Sequence, residues 1–111
     1  MIKRITIDGK ERKLCNNALL PRRFRNQFGK DLIIEMENIA KTAKKDPQAV
    51  NFEVLENLTW LMLKEAGEDV GESPEEWLAS INDLLGFYKI MPEVAAFWQS
   101  GTTTTATPKK K

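Results

Sequence analysis

A small, mainly α-helical bundle of about five helices, led by a short N-terminal β-hairpin, is the fold that three features of this chain predict. Apolar residues recur at three- and four-residue spacing from Leu20 to Trp98, the signature of helices with one buried stripe. Helix-start signals stand at Asp31, Ser73-Pro74 and Pro92, where a capping side chain or a first-turn proline meets orphan N–H groups. Period-two alternation occurs only before Asp8-Gly9, a dipeptide suited to the positive φ angles of a type I′ turn.

The hairpin is expected over residues 1–15, with Ile2, Ile5, Ile7 and Leu14 lying on the helical body, because an isolated hairpin is marginal in water. Leu20, Phe24 and Phe28 then define a short basic helix carrying Arg22, Arg23 and Arg25 and stopped by Gly29. From Asp31, the stripe Leu32, Ile33, Met36, Ile39, Ala40 and Ala43 describes a second helix, ending at Lys44-Lys45 where cations suit the dipole. Asp46-Pro47 breaks it. A third helix spans residues 51–66, with Phe52, Val54, Leu55, Leu58, Leu61, Met62 and Ala66 over a sector wider than one packing contact requires. Trp60 falls outside that sector, so either another element covers it or it marks a partner surface. Ser73-Pro74-Glu75-Glu76 opens a fourth helix with a capping box, whose face is Trp77, Leu78, Ile81, Leu84, Leu85 and Tyr88. Pro92 opens the last, with Val94, Ala95, Phe97 and Trp98 over half its circumference. Residues 100–111 offer nothing to bury and are expected to form a disordered Thr-rich basic tail. The chain is thus expected to hold one domain over residues 1–99 and a tail.

Composition narrows the function. Hydrophobic residues at 41% and charged residues at 30% are ordinary globular values and argue against wholesale disorder. No apolar run approaches the ~20 residues of a membrane span, and the N-terminus carries no apolar signal core, so a soluble intracellular protein with no membrane partner is expected. Histidine is absent and Cys15 is alone, which excludes an intramolecular disulfide and the usual zinc and haem ligand sets. With no Gly-rich phosphate loop either, the reading is a non-enzyme without cofactors or metals.

Charge is unevenly spread. Met1 to Lys30 carries nine Lys/Arg and two Asp/Glu, a balance of +7; Asp31 to Ser100 carries five and fourteen, a balance of −9; three lysines follow. Such halves can steer the basic end of one copy, through Arg12, Lys13, Arg22, Arg23 and Arg25, to the acidic face of the next; equally, the charges can mix within the fold. A nucleic-acid-binding or regulatory role is the alternative, resting on a patch of Lys10, Arg12, Lys13, Arg22, Arg23, Arg25 and Lys30. Against it, Phe24 and Phe28 have core spacing, and no polar recognition helix follows Gly29. The apolar excess favours helix-in-groove binding. Three tryptophans, five phenylalanines and four methionines are more adaptable apolar surface than so small a bundle can hide. The expected docking surface is Trp60, Leu63, Phe87, Ile90, Met91, Val94, Phe97 and Trp98.

Several segments resemble the tail assembly chaperones of long-tailed bacteriophages, particularly phages of Gram-positive bacteria such as lactococci. They are Arg22-Arg-Phe-Arg-Asn-Gln-Phe-Gly-Lys-Asp31 leading into an amphipathic helix, Trp60-Leu-Met62, Glu75-Glu-Trp-Leu78, and the closing Thr-rich segment with Pro108-Lys-Lys-Lys111. The likeness runs from Leu20 onward. It implies a small helical protein of the host cytoplasm, not carried into the mature virion, that coats the hydrophobic helical tape measure protein until tail tube subunits replace it. The tail tube protein is then a further candidate partner, and self-association along the client is expected. In many such phages a longer product arises by ribosomal frameshifting; the terminal lysines suit a slippery site, and the tail would then be a linker to a second domain. An exposed solubilising tail accounts for the same residues.

Overall fold

Asp8 and Gly9 adopt positive φ angles of 54° and 82°, and the chain reverses on them to pair β1 (Ile2–Ile7) with β2 (Lys10–Cys15) in an antiparallel hairpin. In this computed structural model, which describes residues 1–102, the register sets Ile5 opposite Arg12 and Ile7 opposite Lys10. Ile5, Ile7 and Leu14 are buried, as expected. Ile2 is not: it has the opposite parity along the strand, so the alternation that buries Ile5 and Ile7 turns Ile2 outward.

Six α-helical segments follow. They are α1 (Leu19–Phe28), α2 (Leu32–Lys45), α3 (Phe52–Glu65), α4 (Pro74–Leu78), α5 (Leu84–Lys89) and α6 (Met91–Thr102), with a 3₁₀ turn over Pro47–Ala49. Gly29 ends α1 in the left-handed conformation, φ 73°, its N–H donating to the Arg25 carbonyl. Asp31, Asn51, Ser73 and Asp83 cap the N-termini of α2, α3, α4 and α5, each side chain accepting from a backbone N–H.

At the centre is α3, which packs on β2, α1, α4 and α6. Its buried residues, Val54, Leu55, Leu58, Thr59, Trp60, Leu61, Met62 and Leu63, extend all round the helix, as befits an element covered on every side. Thr59 is accommodated because its hydroxyl donates to the Leu55 carbonyl at 2.7 Å. One hydrophobic core runs from the hairpin through α3 to α6.

Two expectations change. The helix expected from Ser73 to Tyr88 is split by residues 79–83, where the Asp8 carboxylate accepts from the backbone N–H groups of Asn82 at 3.2 Å and Asp83 at 2.9 Å. A new helix starts at the Asp83 cap in a different phase, and in it Phe87 turns into the core while Leu84 and Leu85 turn out. The final helix continues beyond Trp98 to Thr102, where a Cβ on Gly101 would meet Asn16 Nδ2 at 2.1 Å, and Asn16 Nδ2 itself donates to the Phe97 carbonyl at 2.9 Å. Ser100 to Thr102 therefore belong to α6. The remainder of the expected tail lies outside the described residues.

Candidate docking surface

Of the eight residues expected to form the docking surface, Trp60, Leu63, Phe87, Met91, Val94, Phe97 and Trp98 are buried in the monomer, and Ile90 is half-buried against the same core. This corrects the expectation: these side chains hold the bundle together, and as a set they offer no open face. Trp60 shows why. The loop after α3 folds back over it, and the indole Nε1–H donates to the Val70 carbonyl at 3.1 Å. Phe28 meets the ring edge-on at 6.2 Å, and the Lys64 ammonium lies 5.4 Å from its centroid. A helical wheel cannot foresee cover supplied by a loop.

The basic residues divide. Arg12, on the inner face of the hairpin, donates to Glu68 Oε1 at 3.0 Å, and Glu68 Oε2 accepts from the Lys13 backbone N–H at 3.2 Å. These contacts, the Arg12 hydrogen bond foremost, hold the Glu68 carboxyl below its ordinary range. Arg23 pairs with Glu65 at 2.6 Å, and Lys3 with Glu93 at 3.2 Å. Three basic residues of the N-terminal third thus pair with acidic residues of the remainder within one molecule, so Arg12 and Arg23, expected to reach for a neighbouring copy, have partners in their own chain. Arg22, Arg25 and the side of Lys13 stay exposed.

An open apolar surface does exist, and its centre is α2. Of the expected stripe, Leu32, Met36 and Ile39 are buried, whereas Ile33 is 50% exposed and Ala40 and Ala43 are exposed as well. Ile33, Ala40 and Ala43 recur at seven- and three-residue spacing on one outward side of the helix, beside the buried Met36. Opposite stands the end of α6: Ile33, Met36, Glu37, Ala40, Lys41, Trp98 and Gln99 line a groove of about 670 Å³. A second hollow of about 360 Å³ adjoins it across Ile33 and Trp98, with Met1, Ala18, Pro21 and Gly101 in its walls. The sequence places Trp98 on a surface of the last two helices and Ile33 and Ala40 on the single stripe of α2, and so does not foresee this groove. The signal was present, since Leu32, Met36 and Ile39 already complete one inward stripe and leave Ile33, Ala40 and Ala43 to another.

The chain matches no family model, no curated protein and no solved structure. No helix among the described residues is long and apolar enough to cross a membrane.

Proposed function

We propose that this protein is a non-enzymatic chaperone that holds an apolar helical segment of a longer client in the groove between α2 and α6. The exposed Ile33, Ala40 and Ala43 on α2 carry this reading. From Ile33 to Ala43 this side of the helix extends about 15 Å at ~1.5 Å per residue, enough for two to three turns of an amphipathic helix laid along it. Trp98 and Met36, both largely buried, contribute only their uncovered edges to the groove, so Ile33 and Ala40 supply most of its apolar lining. Glu37 and Lys41 on the rim can pair with charges of either sign that flank the apolar face of a client, setting its register more than its affinity.

Together with the resemblance to phage tail assembly chaperones, this reading makes the tape measure protein the client, bound in the host cytoplasm and released as tail tube subunits take its place. Several copies on one long client would hold it by avidity. The test is co-expression with a tape measure protein: the client is expected in the soluble fraction with the wild-type chain, and in the pellet with Ile33→Glu or Ala40→Glu, both at exposed positions that leave the fold intact. A client that is insoluble with the wild type, or equally soluble with both variants, overturns the proposal. The nucleic-acid reading retains one observation, the exposed Arg22 and Arg25. Salt separates the two, since phosphate contacts weaken steeply with ionic strength and apolar burial does not.

A further inference from the structure

One edge of the hairpin is closed and the other is open. Met1 and Asn16 exchange both backbone hydrogen bonds, the Asn16 N–H donating to the Met1 carbonyl at 2.8 Å and the Met1 nitrogen to the Asn16 carbonyl at 3.2 Å. Alternation along an antiparallel ladder then bonds Lys3 with Leu14, Ile5 with Arg12 and Ile7 with Lys10, and turns the N–H and C=O of Ile2, Arg4 and Thr6 away from β2. By the same parity the Lys13 N–H points off the opposite edge, where it meets Glu68 Oε2 at 3.2 Å, and α3 packs against β2. Along β1, no group among the described residues bonds to the outward backbone of Ile2, Arg4 or Thr6, and all three residues are exposed. Proteins blunt such edges with a proline or a bulge; β1 has neither, its six residues pairing with β2 in unbroken register. Its outward charge also works against the hairpin. Arg4 stands directly opposite Lys13 on the solvent face, a destabilising like-charge pair, and Glu11 approaches Arg4 only to 3.9 Å with both side chains mostly exposed.

We propose that the open edge of β1 receives an extended segment of another protein as a third, antiparallel strand, with a carboxylate of that segment opposite Arg4. The backbone defines the shape of the ligand, since only an extended chain matches N–H and C=O groups that recur at every second residue. Charge defines its chemistry. An aspartate or glutamate opposite Arg4 lies on the same face as Arg4 and Lys13 and balances a pair that the hairpin leaves unbalanced. Two residues to either side, the added strand meets Ile2, which is 55% exposed, and Thr6, so apolar or β-branched side chains suit those positions. A second copy of the chain does not meet this requirement, because the two-fold register that engages Ile2, Arg4 and Thr6 of both copies sets Arg4 against Arg4. Nor does the chain's own closing segment, whose sequence after Thr102 carries three lysines and no acidic side chain. None of the three edge residues lines the α2/α6 groove, so this contact adds a partner and stands independently of the proposed client.

Nuclear magnetic resonance of the isotope-labelled full chain, with the capped peptide Ser-Val-Thr-Glu-Thr-Val-Ser as probe, tests this. In the free chain the amides of Ile2, Arg4 and Thr6 exchange rapidly. Low-millimolar peptide, the range suited to so short a ladder, shifts all three and slows their exchange. Replacing the peptide glutamate by lysine weakens binding roughly fivefold. Arg4→Glu reverses that preference and leaves the circular dichroism melt no lower, since the new carboxylate faces Lys13. N-methylation of the peptide at its glutamate, which removes the N–H that donates to the Arg4 carbonyl, abolishes binding, whereas attraction between charges alone survives it. Amides already protected in the free chain, a peptide that shifts none of them, a methylated peptide that binds as well as its parent, or a preference unmoved by Arg4→Glu overturns the proposal.

Discussion

Replacing Trp60 separates a core residue from a binding residue. The indole is buried, with its N–H on the Val70 carbonyl and its ring against Phe28. A buried tryptophan removes about 200 Å² from water, which at ~25 cal/mol per Å² stabilises the fold by about 5 kcal/mol. Truncation to alanine in a core costs about 3–5 kcal/mol, a large part of the ~5–15 kcal/mol a domain possesses. Trp60→Phe is more informative because it keeps an aromatic ring and removes the donor. The Val70 carbonyl is then left without its indole partner, at a cost of about 1–3 kcal/mol. Since ~1 kcal/mol moves the melting temperature of a domain this size by about 4–8 °C, Trp60→Phe is expected to melt on the order of 10 °C below wild type in a circular dichroism scan, and Trp60→Ala to be largely unfolded at 37 °C. A Trp60→Phe protein that melts within a degree of wild type would refute the account of Trp60 as a core residue closed over by the loop.

Other perturbations probe the contacts that join distant segments. Because the Glu68 carboxyl is held below its ordinary value of 4.5 in the folded chain, its contribution is present above that value and is lost as pH falls through the folded value; urea midpoints should drop on acidification below about pH 4.5, and less so in Glu68→Gln. Tyr88, the one tyrosine, donates to Glu56, which holds the phenol neutral above its ordinary value of 10.0; ultraviolet titration should place ionisation above that value, and Glu56→Gln should bring it down. Asp8→Ala removes the acceptor of the Asn82 and Asp83 N–H groups, and amide exchange at both should quicken with a loss of about 1 kcal/mol in stability. Gly101→Ala forces a methyl group onto Asn16 and should lower the melting temperature, with Asn16 amide exchange quickened alongside.

Local signals in the sequence carried the architecture well. The Asp8-Gly9 turn, the caps at Asp31 and Ser73 and the stop at Gly29 act through neighbouring atoms, so residue types alone reveal them. What escaped depends on contacts across the chain. The break between α4 and α5 is held by Asp8, over seventy residues earlier, together with the local cap at Asp83, and no periodicity within residues 73–88 announces it. The docking residues differ for a related reason: aromatic richness near the C-terminus suggests surplus surface, yet Phe97, Met91 and Val94 close the far side of α3. The opposite charges of the two halves were legible, but that Arg12 and Arg23 spend them on Glu68 and Glu65 depends on the hairpin and α1 both packing against α3 and its following loop.

Hydrogen exchange of the full chain with and without a soluble tape measure fragment tests the client-binding proposal most directly. Added protection is expected over α2 from Ile33 to Ala43 and over the end of α6 around Trp98, persisting at high salt. Protection confined to the hairpin and α1 around Arg22 and Arg25 and erased by salt, or no protection at all, would contradict that proposal.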